Sequence, residues 1–421
     1  MFVHSTLRRQ PIQILHLAYT RFPADSRVKR ETAVLRDTGR SVAVIALRGP
    51  GERAVERRDG ILIIRVPGRK SRGGVMSYLA EYADFVWQCR RLVASHRALR
   101  SLQLVHVHTL PDFLLWAALP ARRRGARVVF DMHEIFPEFV ASRFQSSLGR
   151  LVMHVARLVE RWARRRADLT ITVNRPIQEL LSTRPIGRPE RCLVLHNTAD
   201  PADFGHGPSD STEAPNAPLE LVYHGTLTAL YGLEVAIRAV HEVRGRGLAP
   251  RFTILGDGPE RDALQRLAAK LGLADAVAFE TPIPQQALPA RLRRCAAGIV
   301  PTRLDGMTRY SLSTKLLEYV HLGIPALAAR LPTYRRYFGE EALWYWTPGD
   351  AHDLARVIGD FAAAPASERM RRVRLAREAI APFAWPMERQ GLLAAYADLL
   401  GPFGNRSDST AVMRSAALPS P

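Results

Sequence analysis

The sequence predicts an α/β protein built as two doubly wound, Rossmann-like domains facing each other across a cleft. Three observations carry this. Short strand-like runs alternate with longer helical patterns from residue 12 to residue 197, the rhythm of a parallel sheet with helices on both faces. The alternation stops over 201–218, PADFGHGPSDSTEAPNAP, which has little to bury and reads as an exposed connection. It then restarts. A chain of 421 residues is also too long for one ordinary core and suits two domains of about 150–200 residues.

The strand candidates of the first half are 12–18 (IQILHLA), 41–47 (SVAVIAL), 61–66 (ILIIRV), 104–108 (LVHVH), 126–132 (ARVVFDM) and 169–173 (LTITV). CLVLHN, 192–197, closes this half, and amphipathic stretches at 27–38 and 77–99 lie between strands. In the second half the strand-like runs are LELVYHG (219–225), RFTILGDG (251–258), AVAFE (276–280), AGIVPT (297–302) and IPALAA (324–329). The expected organisation is a first domain over 1–200, a linker over 201–218 and a second domain over 219–383. A C-terminal helix over 384–401 can pack back on the first domain, and a polar, disordered tail spans 402–421. In open α/β sheets ligands bind beyond the carboxyl ends of the strands, so the cleft between the halves is where a site belongs.

The formal net charge is +20, carried mostly by arginine. Such a surface attracts nucleic acid, a phospholipid face or a phosphorylated substrate. The basic residues are dispersed, and no helix-turn-helix, zinc-finger or aromatic RNA-binding pattern is present, so nucleic acid is not the expected partner. Cys89, Cys192 and Cys295 are scattered without metal-type spacing and read as reduced thiols of a cytoplasmic protein. The apolar run near the N-terminus is short and contains His16, as a buried strand would rather than a signal sequence. No stretch approaches about 18 consecutive apolar residues, which leaves peripheral contact with a membrane.

Three segments of the second half can carry chemistry. Gly225 follows a strand and precedes a helical pattern, an arrangement that can cradle phosphate, although an ordinary βα turn looks the same. Gly256, Asp257 and Gly258 repeat it, with the same structural alternative. The more informative segment is RYSLSTKLLEYVHLGIPALA, 309–328. Helical spacing puts Lys315 and Glu318 on one face at the start of a helix, with Ser313 or Thr314 as cap. A lysine there can pair with a diphosphate, and a carboxylate can accept from vicinal sugar hydroxyls. A surface salt bridge is the plainer reading, but the apolar neighbours argue for the mouth of a cleft.

In the first half, His106 and His108 lie two apart on a strand and point the same way. With His133 they suggest a metal site, but histidines satisfied at a strand end are the expected case, and no metal is assigned. In GRLVMHVARLVERWARRRADL, 149–169, Leu151, Val155, Leu158, Val159 and Trp162 form an apolar stripe. Arg157, Arg161, Arg164 and Arg165 lie largely on the other side. This is either a core-packed helix with a solvated charged face or a helix that docks on anionic lipid, with Arg90, Arg91, Arg97 and Arg100 adding charge to the same half.

Together these segments resemble glycosyltransferase family 4, from about residue 12 to residue 400. DSRVKRETAVLRDTGRSVAVIAL, LVHVHTLPDFLLWAA, VVFDMHEIFPE and ADLTITVNRPIQELL follow its N-terminal domain; YHGTLTALYGLE, ILGDGPERDAL and STKLLEYVHLGIPALA follow its nucleotide-binding domain in order. The resemblance implies a GT-B fold, with 1–200 binding the acceptor and 219–383 the nucleotide sugar. It implies a retaining, metal-independent transferase without a cofactor, working in polysaccharide or glycolipid assembly; the lipid-docking reading of the basic helix would put a cytoplasmic protein at the inner face of the plasma membrane. By the same resemblance Glu318 grips the ribose, and Lys315 lies near the diphosphate. Gly225 and Thr226 lie under the phosphates, and His133 stands beside the donor sugar with Glu134 following it as the catalytic-side pair. The acceptor would be a saccharide or lipid-linked saccharide. Two places depart from the pattern: Tyr310 stands where the first acid of the signature is expected, and Thr226 and Tyr231 stand where relatives carry arginine and lysine. Arg303 or Arg309 is then the expected source of the missing positive charge. A nucleotide-sugar epimerase of the same fold and a non-catalytic binding subunit are the competing readings.

Overall fold

A computed structural model describes residues 11–68, 75–138, 147–205 and 219–402. The first sheet has the order β3-β4-β2-β1-β5-β6-β7-β8. Its strands are β1 (Ile14–Ala18), β2 (Val42–Arg48), β3 (Val55–Arg58), β4 (Ile61–Pro67), β5 (Leu104–His108), β6 (Arg127–Met132), β7 (Leu169–Thr172) and β8 (Cys192–Val194). All pairs are parallel except β3 with β4. The second sheet, β11-β10-β9-β12-β13-β14, is parallel throughout. It comprises β9 (Glu220–His224), β10 (Arg251–Leu255), β11 (Val277–Glu280), β12 (Ala297–Val300), β13 (Ala326–Ala329) and β14 (Trp344–Trp346).

Every strand expected from the sequence forms, because each is a short apolar run; the sheets bury most of them on both faces, while β8 and β11 at the sheet edges stay half-buried. Two further strands escaped that reading. β3 (VERR) is a charged, partly exposed edge that pairs antiparallel with β4. β14 is only three residues long and stands at the far edge of its sheet. β3 offers no apolar run to see, and the one at β14, ALWYW, is short.

The helix Trp385–Leu400 buries Leu392 and Tyr396 among Ile14, Leu104, Val129 and Ile171 of the first sheet. This helix thus packs against the first domain. Of the expected linker, the Pro201–Phe204 helix and Gly205 are described; residues 206–218 and 403–421 lie outside the described residues. No helix among the described residues is long and apolar enough to cross a membrane.

Candidate active-site cleft

The Thr314–His321 helix begins at the cleft, capped by Ser313, whose side chain accepts the Leu316 N–H at 3.5 Å. Leu316, Leu317, Tyr319 and Val320 are buried. Gly298 on β12 sets how closely this helix packs: a Cβ there would lie 2.4 Å from the Tyr319 ring. Tyr319 so seated donates to the Val222 carbonyl at 3.3 Å, which fixes the rotation of the helix. Lys315 and Glu318 are thereby turned toward the end of β9.

Gly225 directly follows β9 with φ +118°, and a Cβ on it would sit 2.6 Å from Lys315 Cε. The lysine stem lies on that bare backbone. Its ammonium stands 3.9 Å from the centre of the Tyr231 ring and 5.2 Å from that of Tyr223. Burial lowers the Lys315 pKa to about 8 against the pull of Glu318. Burial also raises Glu318 to about 7, opposed by Lys315 and by Arg30 from the other domain. His224 Nε2 lies 3.2 Å from Glu318 Oε2, and burial followed by Lys315 depresses His224 to about 3. Among the described residues no ion pair joins Lys315 to Glu318, so the plain surface salt bridge is not what the sequence encodes.

The first domain closes over this helix. Two cavities, of about 140 and about 170 Å³, lie at the junction. His133 lines both; Arg30, Asp200 and Glu318 line the first, and Glu134, Tyr231, Tyr310 and Lys315 the second. His133 follows β6 directly, and its Nε2 is 2.8 Å from Asp131 Oδ2. Asp131 is wholly buried, and Arg27 clamps both of its oxygens at 2.7 and 2.9 Å. Glu31, His106, His108 and Asp131 bring donor atoms within 4.8 Å of one another, a spacing a metal ion can use. The Arg27 Nε, however, lies 2.9 Å from Asp131 and 3.0 Å from Glu31, so a guanidinium already holds the cation position between the two carboxylates.

Several expected site residues lie elsewhere. Arg303 turns away to pair with Glu234 in the first turn of the Leu233–Gly245 helix, and Arg309 is exposed with its guanidinium 5.6 Å from the Tyr310 ring centre. Neither lines the cavities. Gly256 and Gly258 are explained by packing: a Cβ would meet the Gly225 carbonyl at 1.9 Å or the Leu227 carbonyl at 2.3 Å. Exposed Asp257 accepts the Gly258 N–H at 2.8 Å, and Thr226 is exposed, its carbonyl taken by Tyr223. Tyr310 closes the cleft instead of charging it. Its ring packs on the first domain's core, and its carbonyl accepts from Asn174 Nδ2 at 2.7 Å.

The basic helix Ser147–Arg164 also differs from expectation. Arg164 does not face solvent: it is 1% exposed, bonded to Glu160 and Glu190 and to the carbonyls of Leu181 and Arg184. The buried face is Ala156, Glu160, Ala163 and Arg164, while Leu151, Val155 and Leu158 are 50–60% exposed beside exposed Arg157, Arg161 and Arg165. A buried salt-bridge network replaces the apolar stripe in the core, and a sequence pattern read by hydropathy inverts the two faces.

Sequence reasoning missed Arg27, Arg30, Glu31 and Asp131. On the Ser26–Asp37 helix the first three sit at i, i+3 and i+4, the spacing of one face, yet their charge signals a solvated surface. Only the packing of that helix on β1, β2 and the Trp385–Leu400 helix buries them.

Comparison with known proteins agrees with this architecture. Residues 24–198 match the glycosyl transferase 4-like domain, and residues 218–363 match glycosyl transferases group 1. The chain is 29% identical to WcaL of Escherichia coli K12, provisionally named a colanic acid biosynthesis glycosyltransferase, over 51% of this chain and 53% of that protein. It is 29% identical to D-inositol 3-phosphate glycosyltransferase of Acidothermus cellulolyticus over 66% of this chain and 64% of that one. The alignments thus span about half to two thirds of these relatives' own lengths. In fold it is similar to sucrose-phosphate synthase from Thermosynechococcus elongatus, with TM-score 0.74, 18% identity, and 93% and 99% of the two chains covered. Anabaena HepE in complex with UDP-glucose gives TM-score 0.67 at 17% identity, covering 92% and 100%. With two facing parallel-sheet domains and both family matches in order, the chain belongs to the GT-B glycosyltransferases of the family 4 type.

Proposed function

We propose that this protein is a retaining transferase that moves a sugar from a nucleoside-diphosphate donor to a saccharide or lipid-linked saccharide. The observation that carries the reading is the placement of Lys315 and Glu318 at the mouth of one helix, facing His133 across the closed cleft. Among the described residues Lys315 has aromatic faces but no carboxylate in contact, so a diphosphate would be its first anionic partner. Glu318 would accept from the ribose hydroxyls. Charge developing on the departing diphosphate is met by Lys315 and the N-terminal end of the Thr314–His321 helix rather than by a metal ion. A diphosphate oxygen takes the acceptor's proton as the acceptor attacks from the leaving-group face. His133 positions the sugar. The HepE structure with UDP-glucose supports a nucleotide-sugar donor, and the name of WcaL supports a cell-surface polysaccharide product.

The same reading places the acceptor at an anionic membrane surface. Exposed Leu151, Val155 and Leu158, flanked by Arg157, Arg161 and Arg165, suit shallow insertion at the inner face of the plasma membrane. Sedimentation with anionic vesicles at low and high salt tests it; absence of binding at low salt overturns this part.

The central experiment is a thermal-shift screen of UDP, GDP, dTDP, ADP and their sugars, followed by acceptor-dependent release of the diphosphate. The expected result is one nucleotide series that stabilises the protein and turns over, with the anomeric configuration of the product retained by NMR. No shift with any nucleotide overturns the donor assignment. Binding without turnover would favour a non-catalytic GT-B subunit, the reading that Tyr310 and Tyr231 support by standing where an acid and a lysine are expected.

A further inference from the structure

The carboxyl end of the first sheet holds a buried polar cluster directly beneath the cleft. His16 on β1 is in register with His106 on β5, and His108 with Asp131 on β6, so all four side chains share one face. Each is at most 2% exposed. Asp131 is the hub. Its Oδ1 accepts from Arg27 Nη2 at 2.7 Å; its Oδ2 accepts from Arg27 Nε at 2.9 Å, His108 Nδ1 at 3.0 Å and His133 Nε2 at 2.8 Å. Burial alone would raise this carboxyl, but the Arg27 guanidinium holds it well below the usual carboxylate range.

An ionised carboxylate only accepts, and that settles the proton positions around it. His108 gives its Nδ1–H to Asp131, so its Nε2 carries the lone pair and accepts the Nδ1–H of His16 at 2.9 Å. Burial keeps both of these imidazoles neutral, each with a single proton to place. His133 Nε2 lies 3.2 Å from His108 Nδ1 but closer, 2.8 Å, to Asp131 Oδ2; a bare nitrogen would repel the carboxylate there, so it too carries its proton toward Asp131. The other nitrogen, Nδ1, has no described partner, and the side chain, 20% exposed, lines both cleft cavities.

We propose that Asp131 is a positioning residue for His133: it takes the Nε2 proton, fixes the ring, and leaves Nδ1 as a hydrogen-bond acceptor for a hydroxyl of the donor sugar. Arg27 holds Asp131 from one side and the His108–His16 pair from another. The identity of the hydroxyl rests on the glycosyl-transfer reading of the cleft; the tautomer does not.

Two measurements test this. In protein labelled with ¹⁵N-histidine, the His133 signals, assigned by their loss in His133→Gln, should report a protonated Nε2 and a bare Nδ1 in the neutral ring. An Nδ1–H tautomer in the parent overturns the proposal whether or not a donor is ever found. In Asp131→Asn that tautomer should be lost or mixed, since the amide can offer N–H as well as accept; an unchanged His133 signal overturns it too. With the donor in hand, Asp131→Asn and His133→Gln should each lower kcat/KM on the order of 100-fold, and the double variant should fall no further than the worse single one. Additive losses would show that Asp131 does not act through His133. Asp131→Asn strips a buried guanidinium of its counter-ion, so Arg27→Gln with Asp131→Asn removes both charges together and is read the same way, in protein whose melting temperature confirms the fold.

Discussion

Replacing Glu318 by glutamine should make the protein more stable at neutral pH and a poorer binder of its donor. The Glu318 carboxyl is buried, and its pKa rises from 4.5 to about 7. A folded-state pKa above the unfolded one means stability that is fully present below about pH 4.5 and lost as pH climbs to about 7. At about 1.4 kcal/mol per unit, that shift corresponds to about 3 kcal/mol lost across the window. Glutamine has the shape of the protonated acid and does not titrate, so the variant escapes the loss. Part of the gain is offset because Lys315 loses the neighbour that holds its own charge. Thermal melts of parent and variant at pH 5 and pH 8 read the result directly. The two should lie close at pH 5 and separate at pH 8, with the variant higher by several degrees, since 1 kcal/mol moves a domain of this size about 2–4 °C. Nucleotide affinity at pH 8 should fall about 10- to 100-fold through loss of hydrogen bonds to a charged acceptor. Parallel pH profiles would refute the buried-carboxylate argument, and unchanged affinity would refute the ribose assignment.

The Lys315 seat is tested by Gly225→Ala, which imposes a Cβ at φ +118° and 2.6 Å from Lys315 Cε. It should cost about 1–3 kcal/mol of stability and weaken nucleotide binding about tenfold or more, whereas Gly245→Ala, with nothing within 4 Å, should be harmless. Arg164→Ala should destabilise by about 3–5 kcal/mol in denaturant melts, because it leaves Glu190 without its counter-ion and Glu160 with Arg184 alone, while Arg161→Ala should stay within about 0.5 kcal/mol. Calorimetry of nucleotide-sugar binding in buffers of different ionisation enthalpy should show a change of sign. With Glu318 at about 7 and Lys315 at about 8, binding that ionises both releases about half a proton at pH 7 and takes up about half at pH 8. Proton linkage of one sign throughout would contradict the paired assignment.

Much of the C-terminal side of the cleft was legible in the chain. Lys315, Glu318 and the Ser313 cap are local features, set by a 3.6-residue period and a cap that a reader can see, and the strands of both sheets announce themselves as short apolar runs. A sequence names the charges of Arg303 and Arg309 without their direction, and only the fold turns one toward Glu234 and leaves the other outside the two cavities. Tyr310 shows the same limit. Its position in the signature was visible, but its work, packing on the opposite domain and receiving Asn174, depends on closure of the cleft.

The sequence by itself determined the two-sheet architecture, the break between the halves and the helix that carries Lys315 and Glu318, since each follows from local periodicity and turn chemistry. The tertiary structure alone decided which charges are buried. Arg27, Glu31 and Asp131 come from segments about a hundred residues apart and meet only because β1, β5 and β6 bring them to one end of the sheet under one helix. Arg164 went inward and Leu151, Val155 and Leu158 outward for the same reason: a charge that finds partners on three sides can be buried, and no residue's hydropathy says whether those partners will be there.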